Sequence, residues 1–132
     1  MSSYRAYWTA LAQAGKSSPK QARDLLKPYV KGPYLDHLVD GVRQMHAQDR
    51  EPYGQVVPRV KEVWISKDDA KVVDCQDVSG AAMADSRTHQ VIPGTGGKAT
   101  ANIEASMRRS SDGRWRLIEL SIKEALCTPP SS

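Results

Sequence analysis

Residues 57–78, VPRVKEVWISKDDAKVVDCQDV, decide the fold class, because the periodicity of the chain changes there. In 57–66 and 71–78, Val and Ile are frequent, as is typical of β-strands, and Lys67-Asp68-Asp69-Ala70 between them is typical of a hairpin turn. The sequence therefore predicts an antiparallel pair of strands in the middle of the chain.

The residues before this hairpin have the periodicity of α-helices instead. Apolar side chains recur at every third or fourth position in three segments, 4–14, 22–29 and 35–45. Gly15 ends the first segment, Ser18-Pro19 is a helix start, and Pro28 should stop or kink the second helix near Lys27. We predict three helices in the first third of the chain.

Strand patterns continue towards the C-terminus. Residues 79–100 are small and polar and predict a long loop, with a short strand around 90–92. Two further strands are predicted over 101–109 and 114–122, joined by a turn at Ser111-Asp112-Gly113. Helices followed by strands indicate an α+β domain, which we place at 1–127, with a proline- and serine-rich disordered tail at 128–132. The expected core includes Trp8, Leu11, Leu38, Val42, Val73, Ile103 and Leu117.

Length and charge restrict the class of protein. A chain of 132 residues is the size of one domain, and its net charge of +4 comes from Lys and Arg spread along the sequence. Dispersed charge favours a solvated surface, so no nucleic-acid partner is expected. No segment approaches the roughly 18 apolar residues of a membrane span, and no signal peptide follows Met1. Whether a leader or anchor precedes Met1 stays open.

Cys75 and Cys127 are the only cysteines, and their spacing excludes CxxC redox and zinc motifs. They could be reduced core thiols of a cytosolic protein. The alternative, which we favour, is a disulfide that ties the C-terminal end to the second predicted strand and implies an oxidising compartment. Closing a loop of about 50 residues would stabilise the domain by roughly 4 kcal/mol.

Several segments in this order resemble the nuclear transport factor 2-like superfamily, also called SnoaL-like, and more narrowly its small extracytoplasmic actinobacterial members. They are YRAYW at 4–8, AKVVDCQD at 70–77, GRWRL at 113–117 and the late Cys127. The resemblance implies a cone in which three N-terminal helices pack on a curved antiparallel sheet of four to six strands. It also implies a cavity between helices and sheet. Aromatic side chains are the candidates for its lining, with plain core as the alternative: Tyr4, Trp8, Tyr29, Tyr34, Trp64 and Trp115.

The sequence departs from the enzymatic members of that superfamily, whose cavity holds an acid/base carboxylate with a His or Tyr partner. Here Asp74 and Asp77 lie on opposite faces of one predicted strand, so one of them can point inwards. The histidines His37, His46 and His89 complete no metal or catalytic site. We therefore name no catalytic residue and no metal ligand and expect no cofactor.

Three hypotheses of function follow. The leading one is a non-enzymatic extracytoplasmic accessory domain, secreted or membrane-tethered, that binds a protein partner or a small apolar ligand; a homodimer is compatible with it. The second is a small isomerase- or cyclase-type enzyme that uses one cavity carboxylate, in which case a cytoplasmic location is the alternative. The third is a periplasmic assembly module of a secretion, conjugation or lipid-uptake machine.

Overall fold

The computed structural model describes residues 1–130 and begins with three helices, α1 Ser2–Ala14, α2 Pro19–Leu26 and α3 Pro33–Ala47. The start of α2 is a capping box: Ser18 Oγ accepts a hydrogen bond from the backbone N–H of Gln21, whose side chain accepts one from the N–H of Ser18. The helix ends at Leu26, two residues before Pro28. All three predicted helices are confirmed.

The strands form two antiparallel sheets. Their bounds are β1 Arg50–Tyr53, β2 Val60–Ser66, β3 Asp69–Asp77, β4 Ala82–Asp85, β5 Thr100–Arg109 and β6 Trp115–Lys123. The larger sheet has the order β2-β3-β5-β6, and β1 pairs with β4 in the smaller one. Three N-terminal helices packed on antiparallel strands confirm the predicted α+β class.

The core lies between the helices and one face of the larger sheet. Val72 pairs with Ala105, and Asp74 pairs with Ile103, so alternate residues of β3 and β5 share the buried face. Of the expected core residues, Val42, Ile103 and Leu117 are buried, and Trp8, Leu11 and Leu38 are partly buried and pack against the core cluster. The assignment of Val73 to the core is wrong. Its pairing with Glu104 places it on the outer face of the sheet, and Val72 takes the core position.

The strands of the smaller sheet are not where the sequence predicted strands. Both β1 and β4 lie outside the predicted strands, and the predicted strand at 90–92 is reduced to a single bridge between Val91 and Ala84. Neither β1 (Arg-Glu-Pro-Tyr) nor β4 (Ala-Met-Ala-Asp) is rich in the β-branched residues that favour strands, so their pairing comes from contacts distant in sequence. Residues 126–130 have no helix or strand, and the last two residues of the predicted tail, 131 and 132, lie outside the described residues.

The disulfide is confirmed. Cys75 and Cys127 are bonded, with their Cα atoms 5.8 Å apart. Cys75 is fully buried on the face of β3 opposite to Asp74, and the bond fixes the segment after β6 against that face. Within residues 1–130, no helix combines the length and the apolar character that a membrane crossing requires.

The two edges of the larger sheet differ. The segment 29–31 covers part of the β6 edge: the N–H of Leu117 donates a hydrogen bond of 2.7 Å to the carbonyl of Tyr29, and the N–H of Lys31 donates one of 3.0 Å to the carbonyl of Leu117. Strand β2 forms the other edge, and there Trp64 and Ile65 are more than half exposed.

Candidate functional site

Asp74 is the one carboxyl group that is fully buried among the described residues. Its Oδ2 accepts a hydrogen bond of 2.5 Å from the Tyr4 hydroxyl and a longer one of 3.4 Å from Gln76 Nε2. Its Oδ1 accepts one of 2.7 Å from the backbone N–H of Arg59. Helix α1, strand β3 and the segment entering β2 are therefore joined at one buried group.

Tyr4 is fully buried, as is its neighbour Tyr7 one helical turn later. Burial raises the pKa of the Tyr4 phenol well above its ordinary value, and the carboxylate of Asp74 raises it further. Burial also raises the pKa of Tyr7. Tyr4 consequently holds its proton under all ordinary conditions and acts as a hydrogen-bond donor rather than as a base.

The contact between Tyr4 and Asp74 resembles the carboxylate–tyrosine pair expected of an enzyme, but its surroundings differ. A general base must come within hydrogen-bonding distance of the proton it removes from a substrate. Asp74 has no exposed surface, and both its oxygens already accept hydrogen bonds from the protein. The Asp74 carboxyl group therefore links three elements of the fold. It presents no oxygen at the protein surface that a substrate could contact.

An open groove is lined by Trp8, whose ring also meets Tyr4 of this cluster edge to face. It runs between helix α1 and the loop after β1 and has a volume of about 520 Å³, within the usual range of ligand pockets. One wall consists of α1 side chains three or four positions apart, and Pro52, Tyr53, Val56 and Pro58 form much of the other. The α1 wall comprises Arg5, Trp8, Thr9, Leu11, Ala12, Gln13 and, just beyond the helix, Lys16.

The loop wall of the groove is held by a close approach of two backbone segments. Gly54 has φ +71°, and a Cβ atom at this position would overlap the carbonyl oxygen of Gly80. Only glycine fits there, and its contact brings the loop after β1 against the start of β4. Arg5 Nη1 donates a hydrogen bond of 3.5 Å to the carbonyl of Pro58 across the groove. The groove is therefore formed by the fold itself and needs no ligand to shape it.

The six aromatic side chains proposed as pocket lining do not meet in one cavity. Trp8 lines the groove, and Tyr4 lies behind it with the two rings edge to face at 6.2 Å. Tyr29 lines a second, shallower depression between α1 and α2, and Tyr34 packs half-buried against the core. The remaining two lie on the sheet: Trp64 is exposed on β2, and Trp115 packs under the Arg109 guanidinium at 5.5 Å.

The histidines make separate contacts. His46 Nε2 lies 2.9 Å from the carbonyl oxygen of Gly15, and His89 Nδ1 lies 2.7 Å from a carboxylate oxygen of Glu51. In the part of the chain that the structure describes, no three His, Cys, Asp or Glu side chains are grouped as metal ligands.

Sequence reasoning missed the groove itself. Pro52 and Gly54 follow the three predicted helices, and Pro58 lies within the strand predicted at 57–66; nothing in their spacing indicates that they face helix α1. One pattern in the sequence does indicate the groove. Arg5, Trp8 and Ala12 share one face of α1 at helical spacing, and a face that mixes charged and apolar residues is typical of a helix that is only partly covered.

Comparisons with known proteins identify the fold alone. No family model matches the chain, and no curated protein matches it. The intermembrane space region of the chloroplast protein ARC6 is similar in structure, with a TM-score of 0.64 and 14% identity over 92% of this chain and 91% of that one. A conserved protein from Planctomyces limnophilus has a TM-score of 0.56 at 14% identity, covering 97% and 95% of the two chains. A structure from Catenulispora acidiphila has a TM-score of 0.52 at 10% identity, covering 92% and 86%.

Proposed function

We propose that this chain is a non-enzymatic extracytoplasmic accessory domain that binds an apolar part of a partner protein or a small apolar ligand in the groove beside α1. The observation that carries the proposal is the contrast between two neighbouring sites. The groove is open and largely apolar, whereas the buried carboxyl group of Asp74 is enclosed and fully hydrogen-bonded.

The disulfide supports the extracytoplasmic part of the proposal. Disulfides persist in oxidising compartments and are rare in the cytosol. The bond between Cys75 and Cys127 closes a separation of 52 residues and fixes the end of the domain, which is a structural rather than a catalytic use of cysteine. The order of three helices and an antiparallel sheet supports membership of the nuclear transport factor 2-like superfamily, which we keep as part of this proposal.

The enzyme hypothesis depends on Asp74 and is disfavoured by the same contacts. An isomerase or cyclase of this fold would need the carboxyl group to face its substrate. Asp74 has no exposed surface, and freeing its Oδ1 for a substrate would break the 2.7 Å hydrogen bond that the backbone N–H of Arg59 donates.

A neutral apolar fluorophore, N-phenyl-1-naphthylamine, tests the groove. Two half-buried alanines of α1 provide a matched pair, because Ala12 lines the groove and Ala6 lines the shallower depression on the other side of the helix. We expect the wild type to bind the fluorophore, Ala12→Trp to weaken binding at least tenfold by filling the groove, and Ala6→Trp to leave it unchanged.

Thermal unfolding of both variants checks that each folds. Equal binding by Ala12→Trp and the wild type, with both folded, would show that the fluorophore binds elsewhere and would contradict the proposal. Loss of binding in Ala6→Trp alone would contradict it as well.

A further inference from the structure

The groove beside α1 has a cation at each end of its helical wall and no acidic side chain among its described lining residues. Arg5 and Lys16 are both exposed, and neither forms an ion pair within residues 1–130. On this basis we propose that the groove, if it is the binding site proposed above, takes an extended segment of a partner protein that is apolar in the middle and acidic at both ends.

The distance between the two cations sets the length of the segment. Arg5 and Lys16 are eleven positions apart, and Gly15 after the end of α1 keeps helical backbone angles, so their separation is about 16 Å at about 1.5 Å per residue. An extended peptide covers about 3.3 Å per residue, so about five residues span the same distance. A lipid or fatty acid has one anionic head group and would satisfy only one of the two cations. The spacing therefore favours a peptide with an acidic residue at each end.

The surface of the groove between the two cations is apolar, and it therefore favours apolar side chains in the middle of the bound segment. Trp8 and Leu11 lie between Arg5 and Lys16 on the helix, and Pro58 faces them from the loop wall. Aromatic and aliphatic surfaces of this kind anchor apolar side chains and exclude water from the contact. Because Gly54 and Gly80 already fix the loop wall, little ordering of the protein opposes binding.

Three five-residue synthetic peptides with blocked ends test the inference: ELPVE, its neutral analogue QLPVQ and its basic analogue KLPVK. Their dissociation constants are measured by the chemical-shift changes of the ¹⁵N-labelled protein. Two exposed ion pairs should make ELPVE bind roughly tenfold more tightly than QLPVQ at low salt, with KLPVK weakest. The preference should decrease at high salt because exposed charges are screened.

Charge variants locate the effect. The double variant Arg5→Gln/Lys16→Gln should bind ELPVE and QLPVQ equally. The matched control Lys20→Gln/Lys31→Gln removes two exposed lysines outside the groove and should keep the tenfold preference.

The outcomes separate this inference from the proposed function. If N-phenyl-1-naphthylamine binds in the groove by the Ala12→Trp criterion but the three peptides bind equally, the groove stands as a binding site and the acidic partner segment is wrong. The inference would also be wrong if dodecanoate bound more tightly than ELPVE and this binding were lost in Arg5→Gln/Lys16→Gln. The natural ligand would then be an amphiphile with a single anionic head group. If neither fluorophore nor peptide responds to Ala12→Trp, the proposed function itself fails.

Discussion

Replacement of Tyr4 by phenylalanine tests whether the buried carboxyl group is structural. The substitution keeps the ring in the core and removes only the hydroxyl that donates to Asp74 Oδ2 at 2.5 Å. That oxygen would retain only the 3.4 Å contact from Gln76, while Oδ1 keeps the hydrogen bond from Arg59. Removing one partner of a buried polar group costs about 1–3 kcal/mol, so we expect Tyr4→Phe to lower the free energy of unfolding by about 2 kcal/mol.

The assay is urea unfolding followed by circular dichroism. A loss of about 2 kcal/mol lowers the midpoint by roughly 1 M urea when the slope is about 2 kcal/mol/M. Tyr53→Phe is the matched control, because Tyr53 is 47% exposed and its substitution should change the stability by less than about 0.5 kcal/mol.

A double-mutant cycle with Asp74→Asn isolates the pair. We expect the two changes to be non-additive by about 1 kcal/mol or more, since each removes the same contact. Equal midpoints for Tyr4→Phe and Tyr53→Phe, or strict additivity in the cycle, would refute the structural role assigned to Asp74.

The remaining predictions concern the disulfide and two kinds of titrating group. Replacing both Cys75 and Cys127 by alanine should lower the free energy of unfolding by about 4 kcal/mol, because the bond closes a loop with a sequence separation of 52 residues. Protein that is alkylated in its natural compartment should show no modified cysteine when its intact mass is measured. The Arg116 guanidinium lowers the pKa of Asp112 from 3.8 to about 2, so its stabilising contribution is complete above pH 3.8 and is lost as the pH falls towards 2. Asp112→Asn should therefore be less stable than the wild type at pH 7 in urea unfolding, and a difference that persists unchanged at pH 2 would contradict this. The pKa values of Tyr4 and Tyr7 are raised in the folded protein, so the stability that depends on their protonated forms is complete below pH 10 and is lost at higher pH. When absorbance at 295 nm is followed in alkali, two of the five tyrosines should therefore ionise only as the protein unfolds.

The helices and long strands could be predicted because their signals are local. Ser18 and Pro19 mark the start of α2, and the turn at Asp112-Gly113 separates β5 from β6 as the sequence indicates. The pairing within the disulfide could also be predicted, because the chain contains only one possible pair of cysteines; the sequence favoured the bond over two reduced thiols, and the structure decides between them.

Other features depend on contacts that are distant in sequence. Two adjacent valines at 72 and 73 fit either face of a strand, and only the pairing with β5 decides that Val72 is buried. Strand β1 contains Pro52 and pairs with the small residues of β4, so neither strand has a strong pattern of its own. The groove and the Asp74 cluster each bring together segments that are far apart in the chain, and no local sequence pattern could place these segments side by side.

Whether the groove beside α1 binds apolar ligands can be tested by mapping the amide chemical-shift changes of the ¹⁵N-labelled protein as N-phenyl-1-naphthylamine is added. We expect the largest changes in 5–16, 52–58 and 81–82, the segments that form the groove. Changes confined to the exposed edge strand 60–66, or centred on Asp74 and its hydrogen-bond partners, would contradict this expectation.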